Sequence, residues 1–525
     1  MCGILFYIQN ENENISKNDL LKLKVKLNNI SSRGPDETKD LLLENKYFGF
    51  TRLSINGLDK NSGQPLIIND VILICNGEIY NYKELLQENN FDYKTKSDCE
   101  IIIHMYNKYG IDNTIKKLDG VFSFVLFDKK NNNIYVGRDP IGIRPLFYIK
   151  NNNNISFCSE MKGLDLDLNE NINQFKPGHY YDVNEDKFVR YFDNSFVIND
   201  VCYNDCKLKI NELLNEAVKK RLLSDRPVAC LLSGGLDSTI ITALVSKYYE
   251  NYKLNTYSIG MKGSVDLKYA NIAAKYLKTN HKSIELTENE FLDAIEETIY
   301  IIESYDVTTV RASVGNYLVS KYIKENSDDT VIFCGDVSDE IFGSYRGFTK
   351  AENNERFKEE NDKMLNNIHY FDVLRSDRCI SGAGLEARVP FADKKFLSFV
   401  MSINPSFKMF NKDIMEKKIL REAFEGLLPD ELLYRRKEAF SDGVSSHERG
   451  WFQIIKDHVD LKYSYNDFIL NKNKYDFNQP YDKESLYYRE IFEKYYKNCG
   501  KIIPYFWKHP FCSEIDPSAR LLSVY

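Results

Sequence analysis

The sequence predicts two domains in series: an N-terminal α+β half whose sheets carry helices, and a C-terminal doubly wound α/β half. Three observations predict this. The chain has 525 residues, and single hydrophobic cores stop growing at roughly 250–300 residues. The first 190 or so residues are rich in short alternating or apolar runs broken by Asn and Gly. Composition shifts around Asp193–Asp205, and beyond it long helical periodicities alternate with brief apolar runs. The expected domains are residues 1–195 and 205–525.

In the first half, FGFTRLSI, VILICNGEIY, VFSFVLFD, NIYVGRD and RPLFYI read as strands. Helical spacing occurs at Leu20–Asn29 and Glu100–Tyr109, while the Asn-rich Lys150–Asn154 reads as a surface turn. In the second half Lys207–Ser224 and Thr239–Tyr249 read as helices. VACLL, LNTYSIGM and TVIFCGD read as buried parallel strands. Ala351–Met364 is charged and reads as an exposed helix or loop. After Ser464 the periodic signals weaken.

A formal net charge of -7 argues against nucleic acid or anionic membrane as a partner, since either needs a clustered basic face. No segment approaches the roughly 20 apolar residues that span a bilayer. CGILFYI lacks the basic flank and cleavage site of a signal peptide. The 11 cysteines are odd in number and scattered, which fits a reducing, cytoplasmic location rather than a disulfide framework. Cys202 and Cys206 have no second Cys or His pair nearby and read as ordinary thiols.

The sharpest motif is LLSGGLDST, between the apolar run Val228–Leu232 and a helix. A strand, Gly-rich loop and helix point backbone N–H groups and the positive helix end at an anion. Ser233, Gly234 and Gly235 let the backbone approach a phosphate, with Asp237 and Ser238 in the first helical turn. Asp237 would repel phosphate unless it held Mg²⁺. No GK[ST] follows, so this is not a Walker A loop. SGGxDS resembles the pyrophosphate loop of enzymes that split ATP between its α and β phosphates. A second cluster, TVIFCGDVSDEIFG, ends a strand in Gly335, Asp336, Ser338, Asp339 and Glu340, where ligands bind in open α/β sheets. Asp339 could share the metal with Asp237. DVTTVRAS supplies Arg311 and YRRKEAFSDG supplies Lys437, cations suited to a departing pyrophosphate.

At the other end stands MCGILFYIQN. Removal of Met1 would leave Cys2 with a thiol and a free α-amine, whose usual pKa of about 7.7–8.0 suits a local base. SRGPDE and TRLSI supply Arg33 and Arg52, whose forks match an α-carboxylate. CNGEIYN supplies Asn76 and Gly77 as oxyanion donors and Glu78 for an ammonium, and SDCE adds Asp98. Together these describe a pocket for glutamine.

With both halves read, the chain resembles the glutamine-hydrolysing asparagine synthetases of the class II, N-terminal-cysteine amidotransferases. The resemblance rests on MCGI, RGPD, RLSI, NGEIYN, LDGVFSFVLFD, GRDPIGIRPL, KRLLSDRPVACLLSGGLDS, YDVTTVRAS, GLEARVPF, RRKEAFSDG and DPSAR. It implies an N-terminal nucleophile αββα sandwich over residues 1–195 and an ATP pyrophosphatase-type parallel sheet with additional helices over 205–525. It implies that Cys2 attacks glutamine, with Asn76 and Gly77 assisting and Arg52, Leu53, Ser54, Ile55, Asn56, Asn76, Gly77, Glu78 and Asp98 binding it. Leu232, Ser233, Gly234, Gly235, Asp237, Ser238, Ile259, Cys334 and Gly335 would bind ATP. Arg311, Asp336, Asp339 and Lys437 would serve aspartate, its adenylate and pyrophosphate, with Mg²⁺ on Asp237 and Asp339. Expected partners are glutamine, aspartate and ATP, with a homodimer as the candidate assembly and neither nucleic acid nor membrane.

One stretch departs from the family. CGDVSDE stands where SGEGSDE is usual, so Asp336 is a methylene shorter than glutamate, Val337 replaces glycine and Cys334 replaces serine. A valine opposes a positive φ at 337, and a misplacement of about 1 Å can slow catalysis on the order of 100-fold. The alternatives are therefore a glutaminase whose synthetase half is impaired and mainly binds nucleotide or partners, or a lactam-forming relative.

Overall fold

The computed structural model describes residues 1–9, 14–166, 172–249, 253–514 and 516–522. Among these, the N-terminal part holds strands β1 (Gly3–Gln9), β2 (Glu37–Leu43), β3 (Lys46–Arg52), β4 (Leu66–Ile68), β5 (Val71–Ile79) and β6 (Gly120–Asp128). It continues with β7 (Asn133–Arg138), β8 (Phe147–Lys150), β9 (Asn154–Cys158), β10 (Ile172–Gln174), β11 (His179–Asp182) and β12 (Lys187–Arg190). They form two six-stranded sheets of order β10-β8-β9-β1-β3-β2 and β12-β11-β7-β6-β5-β4.

Strand alternation builds four layers, because successive side chains face opposite sides of a sheet. Ile4 and Phe6 of β1, Phe48 and Phe50 of β3, Ile72 and Ile74 of β5, and Val125 and Phe127 of β6 share one buried cluster between the sheets. The intervening Leu5 and Tyr47 pack with Leu23 and Leu27 of helix Lys17–Asn29. Leu73, Cys75, Phe124 and Leu126 face the other way, onto Ile101, Ile102 and Met105 of helix Glu100–Lys117. The result is the expected αββα sandwich.

The second domain holds a parallel sheet of β13 (Val228–Leu231), β14 (Asn255–Met261), β15 (Asn280–Leu286), β16 (Val331–Phe333) and β17 (Glu386–Arg388), in the order β15-β14-β13-β16-β17. The chain winds from β13 to one edge and then from β16 to the other. The loops after β13 and β16 therefore lie side by side where the winding reverses, which is where open α/β sheets bind ligands.

Several boundaries differ from the sequence reading. The run FGFTRLSI leaves the sheet after Arg52, and RPLFYI pairs only over Phe147–Lys150. Helix Glu100–Lys117 runs past Tyr109 through a kink at Gly110, whose φ is +71°. The alternating ETKDLLL forms β2, and the stretch after Ser464 contains helices Tyr465–Lys472 and Lys483–Tyr495. Ala351–Met364 overlaps helix Asn354–Asn367, which buries Phe357, Asn361 and Leu365 on one face.

Buried charges join the domains. The Arg33 guanidinium donates to Glu160 at 3.0 Å and to Asp377 at 2.9 Å, and Arg144 reaches Asp377 at 3.4 Å. Glu303 accepts from the backbone N–H groups of Met161 and Lys162 at 2.9 and 3.0 Å. Arg33 is fully buried in this network. It is therefore an interdomain tie rather than the substrate-carboxylate fork that RGPD suggested.

Candidate functional site

The first site lies at the start of β1. Cys2 is partly exposed, and its thiol donates to the Leu53 carbonyl over 3.6 Å. Arg33 Nε donates to the Cys2 carbonyl at 2.9 Å, which fixes the backbone beside the thiol. Met1 is buried, and its amine donates to the Leu385 carbonyl of the second domain at 2.9 Å. Burial pushes that amine down to about 5 and the Cys2 thiol up to about 11. With Met1 attached, the thiol is a poor nucleophile, because only a thiolate attacks carbonyl carbon well.

Of the other expected residues, Leu53 accepts from the thiol and the charge of Glu78 acts on it. Asn76 and Gly77 lie at the end of β5, and both polar atoms of the buried Asn76 amide lack a partner within the protein. Such an amide costs about 1–3 kcal/mol unless a ligand satisfies it. Gly77 is required by a close approach: a Cβ there would meet the Val121 carbonyl oxygen at 2.4 Å. Burial, then the charges of Asp98 and Glu386, push the Glu78 carboxyl well above the usual range, opposed by Arg388 and Arg144. Glu78 accepts from Asn56 Nδ2 and lies 3.4 Å from Arg388 Nη2. Asp98 accepts from the Ile79 N–H at 2.6 Å, and burial raises it to about 6. Arg52 holds the carbonyls of Gly57 and Asp59, curling Leu53–Asn56 into a loop. The Ile55 carbonyl of that loop accepts from Asp225 N at 3.0 Å, and the Ser54 carbonyl from Arg226 Nε at 3.0 Å.

The second site is the cleft at the winding reversal. It is lined by Leu232, Ser233, Gly235, Asp237, Ser238, Ile259, Cys334, Gly335, Asp336, Asp339 and Lys437. Gly234 turns the loop at φ +71°, and a Cβ there would meet the Tyr269 backbone at 2.3 Å. Helix Leu236–Tyr248 begins at the loop, so Asp237 and Ser238 sit in its first turn as expected. Lys417 Nζ lies 2.6 Å from Asp237 Oδ2 and 2.6 Å from Asp339 Oδ1, and Lys437 also contacts Asp339. Burial alone would raise the Asp339 carboxyl, but the two ammonium groups outweigh it and hold Asp339 well below the usual range.

The departing loop is anchored. Asp336 accepts from Arg375 at 2.7 Å and from Ser376 Oγ at 2.6 Å. Val337 takes φ +77° despite its branched Cβ, so the positive φ that valine opposes is adopted all the same. Its side chain is buried in the core below the loop, which holds it in place. The Cys334 thiol, raised by burial, lies 3.4 Å from Ser376 Oγ.

Arg311 corrects the sequence reading. Its guanidinium bonds Glu484 at 2.7 and 2.6 Å and Asp516 at 2.9 and 3.0 Å, and it is almost wholly buried. Doubly neutralised, it does not line the cleft, although its helix neighbours Thr308 and Ala312 do. Lys417 and Arg375 supply cations the sequence reading missed. Lys417 is one of two adjacent lysines in MEKKIL, and nothing local marks it; Arg375 shares LRSDR with a second arginine.

Residues 1–184 match the glutamine amidotransferase domain family, and residues 209–363 and 349–514 match the asparagine synthase family. An asparagine synthetase (glutamine-hydrolyzing) of Gallus gallus is 39% identical over 100% of this chain and 99% of its own length. The Homo sapiens protein of that name is 38% identical over 100% and 99%. A probable one of Acanthamoeba polyphaga mimivirus is 38% identical over 100% of both chains. The two family matches span the sandwich and the cleft, these relatives align over essentially the whole chain, and the chain belongs to the glutamine-hydrolysing asparagine synthetases.

Proposed function

We propose that the protein releases ammonia from glutamine at Cys2 and uses it to amidate aspartate activated by ATP as β-aspartyl-AMP. The products are asparagine, glutamate, AMP and pyrophosphate. The observation that carries this reading is that one chain holds a Cys2 thiol bonded to the Leu53 carbonyl, an unsatisfied buried Asn76 amide, and a Gly-turned, Asp- and Lys-lined cleft.

In the sandwich, residues 1–195, removal of Met1 frees the Cys2 amine to take the thiol proton as glutamine binds. The thiolate attacks the amide carbon, and Asn76 and Gly77 stabilise the oxyanion. Glu78 and Asp98 receive the substrate ammonium, and the loop Arg52–Asn56 receives its carboxylate. The adduct collapses to a thioester as the C–N bond breaks and the Cys2 ammonium returns its proton to the leaving ammonia; a water then hydrolyses the thioester to glutamate and the free thiol, and the ammonia is used in residues 205–525.

There Leu232–Ser238, Ile259, Cys334 and Gly335 receive ATP. Asp237 and Asp339 fit Mg²⁺: two carboxylates face the phosphate loop, and magnesium is held by one or two carboxylates together with substrate phosphates. Bound there, the ion would neutralise charge on the departing pyrophosphate. Lys437 and Lys417 add positive charge on the same side, and Asp336, held by Arg375, faces the reacting acyl group. A homodimer in the cytoplasm is the setting proposed for the enzyme. Among the described residues no helix is long and apolar enough to cross a membrane.

The test measures glutamate, asparagine and pyrophosphate together, with and without aspartate. Near-equal yields support the reading. Glutamate release with no aspartate-dependent pyrophosphate would replace it with the glutaminase whose second half is impaired. Cys2→Ala should abolish glutamine-dependent synthesis and keep synthesis from ammonia.

A further inference from the structure

The motif GLEARVPF ends in a residue that belongs to both sites. Arg388 is the last residue of β17, the edge strand of the second domain's sheet. Its backbone carbonyl accepts from Cys334 N at 3.0 Å, at the start of the cleft loop. Its side chain runs the other way, across the domain boundary, and is wholly buried. Nε donates to Glu386 at 2.6 Å, and Nη1 donates to the carbonyls of Arg221 and Leu223 at 3.0 and 3.2 Å. Those three bonds fix the plane of the fork. The remaining nitrogen, Nη2, lies 3.4 Å from Glu78 Oε2.

We propose that Arg388 is a positioning residue of the glutamine site: a side chain of the second domain that orients and charges the carboxylate receiving the substrate ammonium. The proposal rests on the reading of Glu78 as that carboxylate. Glu78 is buried and faces two further carboxylates, Asp98 and Glu386, and the cations that offset them most are Arg388 and then Arg144. Three acidic groups around one buried point cannot all ionise unless cations offset them. Arg144 is also drawn toward Asp377 at 3.4 Å. Arg388, whose other nitrogens are engaged, is the cation directed at Glu78. Glutamine affinity is thus set by a strand whose backbone also frames the nucleotide loop.

The experiment measures kcat and KM for glutamine hydrolysis between about pH 6.5 and 8.5 in the full chain, for Arg388→Met, Arg388→Lys, Glu386→Gln and Glu78→Gln. Arg388→Met should raise KM for glutamine on the order of tenfold near neutral pH, the scale of one charged hydrogen bond. Its effect on kcat should be smaller. The KM defect should shrink as pH rises, because Glu78 then ionises without help. Arg388→Lys should fall between wild type and methionine. Glu386→Gln removes a carboxylate that raises Glu78 without touching β17's ladder, so it should lower KM, and it reads the same charge balance if the methionine variant does not fold. A defect in kcat alone, or a KM defect equal at every pH, would overturn the proposal. If Glu78→Gln left KM unaltered, the reading of Glu78 itself would fall, an outcome distinct from failure of the arginine variants.

Discussion

Lys417 joins Asp237 to Asp339: its ammonium nitrogen lies 2.6 Å from a carboxylate oxygen of each. The two aspartates sit in the first turns of the helices that follow different strands, β13 and β16, so one lysine fixes the gap between the halves of the cleft. The lysine is almost fully buried, while its partners keep 22% and 27% of their side-chain surface exposed. Two carboxylates at a phosphate loop would otherwise repel each other and splay.

Lys417→Met should therefore harm synthesis far more than glutamine hydrolysis. Misplacing both aspartates by about 1 Å predicts a loss on the order of 100-fold in aspartate-dependent pyrophosphate release. Breaking a fully buried pair costs about 3–5 kcal/mol. Partial exposure of the aspartates reduces that to about 1–2 kcal/mol here. The depressed Asp339 carboxyl fixes the sign: its stabilisation is present above the ordinary aspartate pKa and is lost as pH falls through its lower folded value. Thermal unfolding at neutral and strongly acid pH should show the wild-type advantage closing in acid.

Asp98 makes a pH prediction at the other site. Burial raises it to about 6, and in the role proposed for it only its ionised form would attract the glutamine ammonium. KM for glutamine should thus rise as pH falls through about 6. Asp98→Asn should show a KM raised on the order of tenfold at neutral pH, with that acid limb flattened. A limb retained by the asparagine variant would assign it to another group.

These two sites were unequally legible in the sequence. The proposed glutamine pocket is built from contiguous motifs, so Asn76, Gly77 and Glu78 could be proposed from CNGEIYN, and the Gly234 turn from SGGLDS. Arg33 and Arg311 sit in equally conspicuous motifs, yet their guanidiniums face carboxylates far along the chain: Glu160 and Asp377 for one, Glu484 and Asp516 for the other. Sequence shows a cation but not a partner that lies far along the chain. Lys417 is the converse, an unremarkable lysine that becomes central only because the fold brings it to two aspartates. Strand β2 was missed because its polar first half, ETKD, carries no apolar alternation, and the helices after Ser464 because Lys, Asn and Tyr dilute their periodicity; tertiary packing overrides such weak local propensity.

Val337 separates strain from packing. At φ +77° a branched residue stores about 1–3 kcal/mol, while its burial returns about 1.5–3 kcal/mol. Val337→Ala keeps the positive φ and loses the packing, so it should destabilise. Val337→Gly loses one carbon more but removes the strain, and should be at least as stable as the alanine variant despite its smaller side chain. Denaturant unfolding of the two variants gives the comparison, and a glycine variant clearly below alanine would show that the loop stores no strain there.

Asp336 tests whether the three departures in the loop compensate for one another. Its carboxylate is already bonded on both oxygens, to Arg375 at 2.7 Å and to Ser376 at 2.6 Å. Lengthening it by a methylene displaces the carboxylate by about 1 Å or forces the loop to withdraw by as much. Asp336→Glu alone should therefore slow asparagine formation on the order of tenfold, although it restores the residue usual in the family. Adding Val337→Gly frees the backbone at the next position, so the double variant should recover most of the loss. The residues are adjacent, and non-additivity of the two changes measures their coupling directly. Strictly additive effects in the double-mutant cycle would mean that Asp336 and Val337 changed independently, and that the shorter carboxylate is used for a reason of its own.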